Sequence, residues 1–135
     1  MHLGRQLHAL IPDGFDVITY TTSKTLSFYR ETLVATSEDG RRESLLVDDE
    51  VTVLSSELRD VMYRQGPGTW FGAVVTVTSR GKLDAQYNYD DEPYWDFPVD
   101  PKTYVTDLET YPRDDAHMPE WLQQKVRDHE AGKTE

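Results

Sequence analysis

The chain has 135 residues, no cysteine and a net charge of −11, from 25 acidic and 14 basic side chains. This length suits one domain with a single core, here expected to span residues 1–135. Without cysteine, disulfide bonds, thiolate metal sites and cysteine nucleophiles are excluded. Because Lys and Arg drive binding to nucleic acids and to anionic membranes, neither is an expected partner, and the charge better matches a basic protein.

Targeting signals are not evident in the sequence. The first ten residues hold too few consecutive apolar side chains for a signal peptide. No apolar run approaches the roughly 18 residues that a membrane-spanning helix needs. A cytoplasmic location is therefore expected.

The first half of the chain predicts a short helix and then a three-stranded antiparallel meander. Residues 1–10 form the predicted helix, which Pro12 and Gly14 end. Alternating and β-branched residues then indicate strands, and polar residues indicate turns. The strands are predicted over residues 15–21, 26–35 and 43–47, and the turns at residues 22–24 and 37–40.

The pattern changes to a helical period after the third strand, which predicts a helix over residues 50–65. Asp48 or Asp49 is expected to cap its start and Gly66 to close its end. The apolar side chains that should face the sheet are Val51, Leu54, Leu58, Val61 and Met62.

Two further strands and two helices complete the prediction. A hairpin at residues 79–82 joins strands over residues 71–78 and 83–89, the second with one apolar and one polar face. Asp100 and Pro101 are expected to start a helix that Pro112 ends. A last helix begins at Pro119, with Trp121, Leu122 and Val126 inside and a tail frayed from Glu130. The sum is an α+β fold: an antiparallel sheet of about five strands (residues 15–89) with helices packed on it, followed by an acidic loop and C-terminal helices (residues 90–130).

Most of the excess negative charge lies in one segment. Residues 84–120 contain eleven acids against two bases, Lys102 and Arg113, which is a net charge of −9. A solvated surface explains such a block, and so does a surface that faces a basic partner. If it faces a partner, the residues predicted to bind that partner are Asp90, Asp91, Glu92, Tyr94, Trp95, Asp96, Asp114 and Asp115.

The aromatic residues of the second half divide into two groups. Phe71, Tyr87, Tyr89 and Trp121 lie in predicted strands or a helix and are expected in the core. Tyr94, Trp95 and Phe97 lie in an acidic loop between two prolines. For these three, packing in the core and contact with a partner are both open, because Tyr and Trp are also enriched at protein interfaces.

Catalytic, metal and cofactor sites find little support in the sequence. The cluster of Asp90, Asp91 and Glu92 could bind a divalent cation, but it lacks the ligand spacing of a calcium loop, and no histidine pair has metal-ligand spacing. No nucleophile elbow and no phosphate-binding glycine loop is present. The chain is therefore predicted not to be an enzyme and to need no cofactor, with a metal-dependent hydrolase using this cluster as the alternative.

Motifs of the second half occur together in a recognisable order. They are YNYDDEP at residues 87–93, Trp95-Asp96, Tyr104-Val105, Asp107-Leu108-Glu109, Tyr111-Pro112-Arg113-Asp114 and Pro119-Glu120-Trp121-Leu122, preceded by Gly68-Thr69-Trp70-Phe71 and the hairpin Ser79-Arg80-Gly81-Lys82. In these motifs, from about Trp70 to Leu122, the chain resembles the YezG-like antitoxin, or immunity protein, family. It departs from the family at its start, since the family usually opens with a longer helix than residues 1–10 allow.

The resemblance implies an immunity protein that binds and neutralises a cognate secreted polymorphic toxin, with a nuclease as the expected toxin. The carboxylates of residues 90–96, with Asp114 and Asp115, would meet the basic cleft in which a nuclease holds phosphates. Tyr94 and Trp95 would supply apolar contacts. A protein-binding adaptor unrelated to toxins is a further alternative, and the oligomeric state is left open.

Overall fold

The computed structural model describes residues 2–133, which form an α+β fold with one antiparallel five-stranded sheet and four α-helices. Met1 and residues 134–135 lie outside the described part, including the end of the predicted tail. Among the described helices, none is both long and apolar enough to cross a membrane. In chain order the elements are α1 (His2–Ala9), β1 (Val17–Lys24), β2 (Tyr29–Thr36), β3 (Arg42–Leu45), α2 (Asp49–Val61), β4 (Gly72–Thr78), β5 (Leu83–Asn88), α3 (Pro101–Thr110), a 3₁₀ turn (Asp115–His117) and α4 (Glu120–Lys133).

The strand order is β3-β2-β1-β4-β5, with β1 at the centre. The predicted meander is confirmed, because Tyr20 of β1 lies opposite Leu33 of β2, and Leu33 lies opposite Leu45 of β3. After α2 the chain returns to the middle of the sheet, where Val75 of β4 lies opposite Tyr20. The predicted hairpin then adds β5 at the edge. The segment that follows β5 therefore leaves the sheet from an edge.

One face of the sheet carries the main core. Ile18, Tyr20, Leu33 and Val75 are buried there, together with Leu3 and Leu7 of α1 and Val51 of α2. A second cluster forms where β4 begins, and it joins Phe71 to Tyr104 of α3 and Leu122 of α4. Each buried apolar side chain of this size stabilises the fold by about 1.5 to 3 kcal/mol relative to exposure. The two clusters place α1 and α2 on the sheet and α3 and α4 at the start of β4.

The first turn and the start of β2 were predicted wrongly. Residues 22–24 belong to β1, and the Lys24 amide donates to the Phe71 carbonyl at 2.8 Å. The turn lies at residues 25–28 instead, where the Thr25 amide donates to the Phe28 carbonyl at 2.7 Å. The polar composition of residues 22–24 is typical of a turn, but β1 is paired on both sides, and pairing continues the strand through them. At the other edge, β3 ends at Leu45 rather than at residue 47.

The helix α2 starts as predicted but ends earlier and faces another way. The Asp48 carboxylate accepts from the Val51 amide at 2.9 Å, which confirms the cap. The helix ends at Val61, four residues before the predicted end, and Gly66 lies in a later turn closed by pairing between Arg64 and Gly68. Placing Val61 on the buried face was also wrong, since its side chain is largely exposed.

The helical period explains this rotation of α2. The buried positions are Val51, Ser55 and Arg59, spaced by four residues, while Leu54 and Leu58 pack at the border of the core. The inner face of α2 therefore contains the polar side chains of Ser55 and Arg59. Val61, which the apolar pattern placed on that face, is exposed instead. Ser55 and Arg59 both have buried polar partners, which makes the burial of their polar groups favourable.

The helices α3 and α4 both begin where the sequence predicted. Asp100 caps α3, where its side chain accepts from the Lys102 amide at 2.9 Å, and Pro101 occupies the first turn. The last helix follows Pro119 and continues through Lys133, so fraying from Glu130 is contradicted for the described residues. The 3₁₀ turn between them was not predicted.

Candidate protein-binding site

The segment between β5 and α3, residues 90–99, is here termed the acidic loop. Its carboxylates Asp90, Asp91, Glu92 and Asp96 are all exposed. The Tyr94 side chain is 66% exposed and that of Phe97 is 56% exposed, which is unusual for aromatic side chains. The loop therefore presents negative charge and aromatic surface side by side.

Hydrogen bonds hold the start of the loop from two directions. The Asn88 side chain donates to the Asp91 carbonyl at 3.0 Å and accepts from the Asp91 amide at 2.9 Å. The Trp121 indole of α4 donates to the Asp90 carbonyl at 2.7 Å. These bonds use the backbone of residues 90 and 91, so their carboxylates remain directed to solvent.

Arg113 fixes the residue that precedes the loop. Its guanidinium donates to the carbonyls of Tyr89, at 2.7 Å, and of Thr69, at 3.0 Å, and lies 4.8 Å from the centre of the Phe71 ring. Burial lowers the pKa of Arg113, and the Asp90 carboxylate acts in the opposite direction. The close approach needs Gly68, because a Cβ atom there would lie 2.7 Å from Arg113 Cγ. Sequence reasoning missed this role of Arg113.

Trp95 anchors the middle of the loop to the fold. Its indole donates to the Tyr104 hydroxyl at 2.7 Å, and its ring lies edge-on to Phe28 at 5.1 Å. Burial raises the pKa of the Tyr104 hydroxyl, so this group stays protonated. Trp95 is half-buried, whereas Tyr94 and Phe97 are mostly exposed. Of the two roles left open by the sequence, Trp95 therefore has the packing role, and its neighbours remain accessible.

Two of the loop carboxylates already have partners. Asp96 forms an ion pair with Arg30 of β2 at 2.8 Å, and the Tyr94 ring lies 5.1 Å from the same guanidinium. Glu92 forms an ion pair with Lys125 of α4 at 3.2 Å. Among residues 2–133, no side chain forms a salt bridge with Asp90 or Asp91. These two carboxylates are therefore the ones of the loop that have no ion pair, although the Asp90 charge acts on the nearby Arg113.

The loop and α4 enclose a pocket of about 590 Å³. Its walls include the aromatic rings of Tyr94, Trp95, Phe97 and Tyr104, and Glu92 with Lys125 provide charged groups. A volume of this order lies within the range of ligand pockets, and its mixed walls suit an amphipathic side chain. The pocket is thus part of the same surface as the exposed carboxylates.

Asp114 and Asp115 are exposed but do not belong to the acidic loop. The Asp114 amide donates to the Gly66 carbonyl at 3.0 Å, and its carboxylate is paired with His117. Asp114 therefore lies against the turn that follows α2, and Asp115 begins the 3₁₀ turn. The eight predicted residues therefore form two groups, one in the acidic loop and the other made of Asp114 and Asp115. Arg113, next to the second group, donates to the carbonyl of Tyr89, the residue before the loop.

One acid of the negatively charged segment lies inside the protein. Asp107 of α3 is 1% exposed and accepts two hydrogen bonds from Arg59 of α2, at 2.7 and 2.8 Å. Its carboxylate also accepts from the Leu26 amide at 2.6 Å. The surface therefore carries ten of the eleven acids counted between residues 84 and 120. The helical position of Asp107, three residues after Tyr104 and four before Tyr111, agrees with its burial, whereas its charge by itself favours exposure.

The cluster at residues 90–92 was also considered as a metal site. In the part of the chain that the structure describes, no group of three or more His, Asp or Glu side chains has the arrangement to hold a metal ion. One of the three carboxylates, that of Glu92, forms an ion pair with Lys125.

The chain was compared with known proteins. A scan against models of protein families found no match, and a search of curated proteins found none either. The resemblance to the YezG-like family therefore stays a prediction.

Proposed function

We propose that this chain is an immunity protein that binds a basic toxin, of nuclease type, through the acidic loop. The observation that carries the proposal is the pair of exposed rings, Tyr94 and Phe97, on an anchored loop beside the unpaired carboxylates of Asp90 and Asp91. Aromatic anchors supply most of the affinity in protein interfaces, and complementary charge mainly increases the rate and specificity of association. The motifs shared with the YezG-like family support the same proposal.

The anchoring of the loop suits it to binding. Trp95, Asn88 and Trp121 hold the loop in place through hydrogen bonds to other elements. A segment ordered before binding loses less conformational entropy when the complex forms. The toxin would therefore meet a prepared surface, and its phosphate-binding cleft would be blocked by the loop.

The first test of this function uses the gene neighbourhood. An adjacent long gene for a secreted protein should encode the toxin in its C-terminal region, and this region should be produced in a bacterial host with and without the chain. We expect the toxin alone to stop growth, and co-production to restore growth and yield a stable complex. Continued toxicity, or the lack of a complex between the purified proteins, would contradict the proposal.

The second test separates binding from folding. Replacement of Tyr94 and Phe97 by Ala should weaken toxin binding by about tenfold or more, because both rings are exposed and available to a partner. Because the Phe97 ring also packs edge-on against Phe28 at 5.4 Å, the melting temperature of each variant is measured together with its binding. Leu83→Ala is the matched control, since Leu83 is also an exposed apolar residue but lies outside the loop. Equal binding by all variants would rule out the loop as the docking site.

A further inference from the structure

The outer side of α2 leaves apolar side chains in contact with solvent. The Val53 side chain is 53% exposed and that of Val61 is 79% exposed, while Leu46, just before the helix, is 96% exposed. Single exposed apolar residues are ordinary on protein surfaces, but a group that shares a groove marks an interaction surface. The two valines meet this condition.

Both valines line one shallow, open groove whose lining residues all belong to α2. It has a volume of about 530 Å³ and is lined by Thr52, Val53, Ser56, Glu57, Asp60 and Val61. A second groove of about 220 Å³ lies between α1 and α2 and contains Leu3, Leu54 and Leu58. Glu57 and Val61 line both grooves. Val61 therefore stands as an apolar ridge between two concave regions.

The charged side chains around these grooves are mainly acidic, although His2 of α1 also lines the second groove. From Asp48 to Asp60 the sequence has five acids and one base, Arg59. Arg59 is buried and paired with Asp107, so it does not compensate the surface. The next exposed base along the chain is Arg64, beyond the end of the helix. The outer side of α2 thus combines apolar grooves with uncompensated carboxylates.

We propose that this α2 face, formed by Val53, Glu57, Asp60 and Val61, binds a basic amphipathic segment of another protein. Aliphatic side chains at helical spacing would pack on the valines, as in recognition of a helix by a groove. Lys and Arg side chains of the segment would lie near Glu57 and Asp60. The α2 face and the acidic loop have no residue in common, so this proposal does not depend on the proposed function.

Charge also decides against a second copy of the chain as the occupant. In a symmetric dimer through this face, the carboxylates of Glu57 and Asp60 would approach their own equivalents. Like charges brought together at an interface oppose association. A cationic partner removes this cost and supplies the missing opposite charge.

The experiment titrates the protein with a short synthetic peptide of Leu and Lys arranged to form an amphipathic helix. Methyl signals of Val53 and Val61 should shift in a saturable way, and replacement of both valines by Ser should weaken binding about fivefold or more. A peptide of the same composition without an apolar stripe should bind more weakly by a similar factor. Leu83→Ala, a change at an exposed apolar residue outside both the α2 face and the acidic loop, should leave peptide binding unchanged.

Three outcomes would overturn this inference. One is a set of shifts centred on the acidic loop rather than on α2, and another is equal binding of the two peptides. The third is a concentration-dependent dimer of the protein that Val61→Ser abolishes, which would make a second copy the occupant. As a variant that keeps both valines, Glu57→Gln with Asp60→Asn should weaken peptide binding at low salt and much less at high salt.

Discussion

The buried ion pair between Arg59 and Asp107 joins two elements that are distant in the sequence. Arg59 donates two hydrogen bonds to Asp107 and a third, at 2.6 Å, to the Trp70 carbonyl. All three groups are removed from water, so the charges depend on each other for solvation. This pair therefore connects α2 and α3 across the start of β4.

The pair makes a prediction about stability. Asp107→Asn should lower the free energy of unfolding by about 3 to 5 kcal/mol, because Arg59 would keep its buried charge without a counter-charge. Urea unfolding of the two proteins measures the difference. Arg59→Met combined with Asp107→Leu should lose less than the single change, since no isolated charge remains. A single variant as stable as the parent would show that the pair contributes little.

A second buried pair joins Lys24 of β1 to Glu31 of β2. The two charged groups are 3.9 Å apart and nearly inaccessible to solvent, and Glu31 also accepts hydrogen bonds from Tyr20 and Thr52. Burial lowers the pKa of Lys24 below its ordinary value of 10.5, while the Glu31 charge acts in the opposite direction. Between the lowered pKa and 10.5 the unfolded chain binds more protons, so stability from this group rises with pH.

Glu31→Gln tests this coupling. The variant keeps one oxygen acceptor, so either the Tyr20 or the Thr52 hydroxyl must instead accept from the new amide, and it leaves the buried Lys24 charge unpaired, which should cost about 2 kcal/mol at pH 7. The deficit should narrow as the pH approaches 10.5, because Lys24 then loses its proton and the buried charge disappears. Urea unfolding at pH 7 and pH 10 gives both values. An equal deficit at the two pH values would contradict the assignment, and adding Lys24→Met should restore most of the loss.

At the scale of elements, α2 owes its start to one side chain. The Asp48 carboxylate accepts from the Val51 amide at one oxygen and from Gln6 of α1 at the other, at 3.4 Å. It thus caps α2 and also contacts the neighbouring helix. An unpaired amide at this position would otherwise depend on water alone.

Asp48→Ala should therefore lower the free energy of unfolding by about 1 kcal/mol. Asp49→Ala is the control, because Asp49 is also exposed in the first turn but provides no cap bond. Its removal should cost about 0.3 kcal/mol at moderate salt, which screens the helix dipole. Thermal unfolding at moderate salt compares the two. If both variants lost the same free energy of unfolding, negative charge at the start of α2 would stabilise the helix and the cap bond would contribute nothing.

For the whole molecule, the distribution of the net charge of −11 matters more than its size. Asp107 pairs with Arg59 in the interior, Asp96 and Glu92 form ion pairs at the surface, and Asp90 and Asp91 are the carboxylates of the acidic loop without an ion pair. Steering of a basic partner depends on such local charge and declines as salt screens it. The field near the loop should therefore guide the encounter with the proposed toxin.

Asp90→Asn with Asp91→Asn should slow association with the toxin by about threefold to tenfold at low salt. The difference should nearly vanish at about 1 M salt, where charges are screened over about 3 Å. Stopped-flow measurements over a salt series give the rates. The control is Asp13→Asn with Glu43→Gln, which changes the net charge equally at exposed residues outside the loop. If the control slows association as much, net charge rather than the loop guides the encounter.

The sequence by itself determined the elements whose signals are local. Alternation and turn residues predicted the five strands and their meander, and the caps Asp48 and Asp100 marked where α2 and α3 begin. The run of acids and aromatic residues between two prolines predicted a loop after the last strand. These features follow from neighbouring residues, because capping, alternation and turns act within a few positions of the chain.

Only the tertiary structure decided which side chains face inward. Arg59 reaches Asp107 across 48 positions, and this contact fixes the rotation of α2 that buries Arg59 and exposes Val61. The bond from Trp95 to Tyr104 likewise separates an anchoring ring from the exposed ring of Tyr94. The physical reason is that buried polar groups must find partners in space, and such pairings leave no periodic mark in the local sequence.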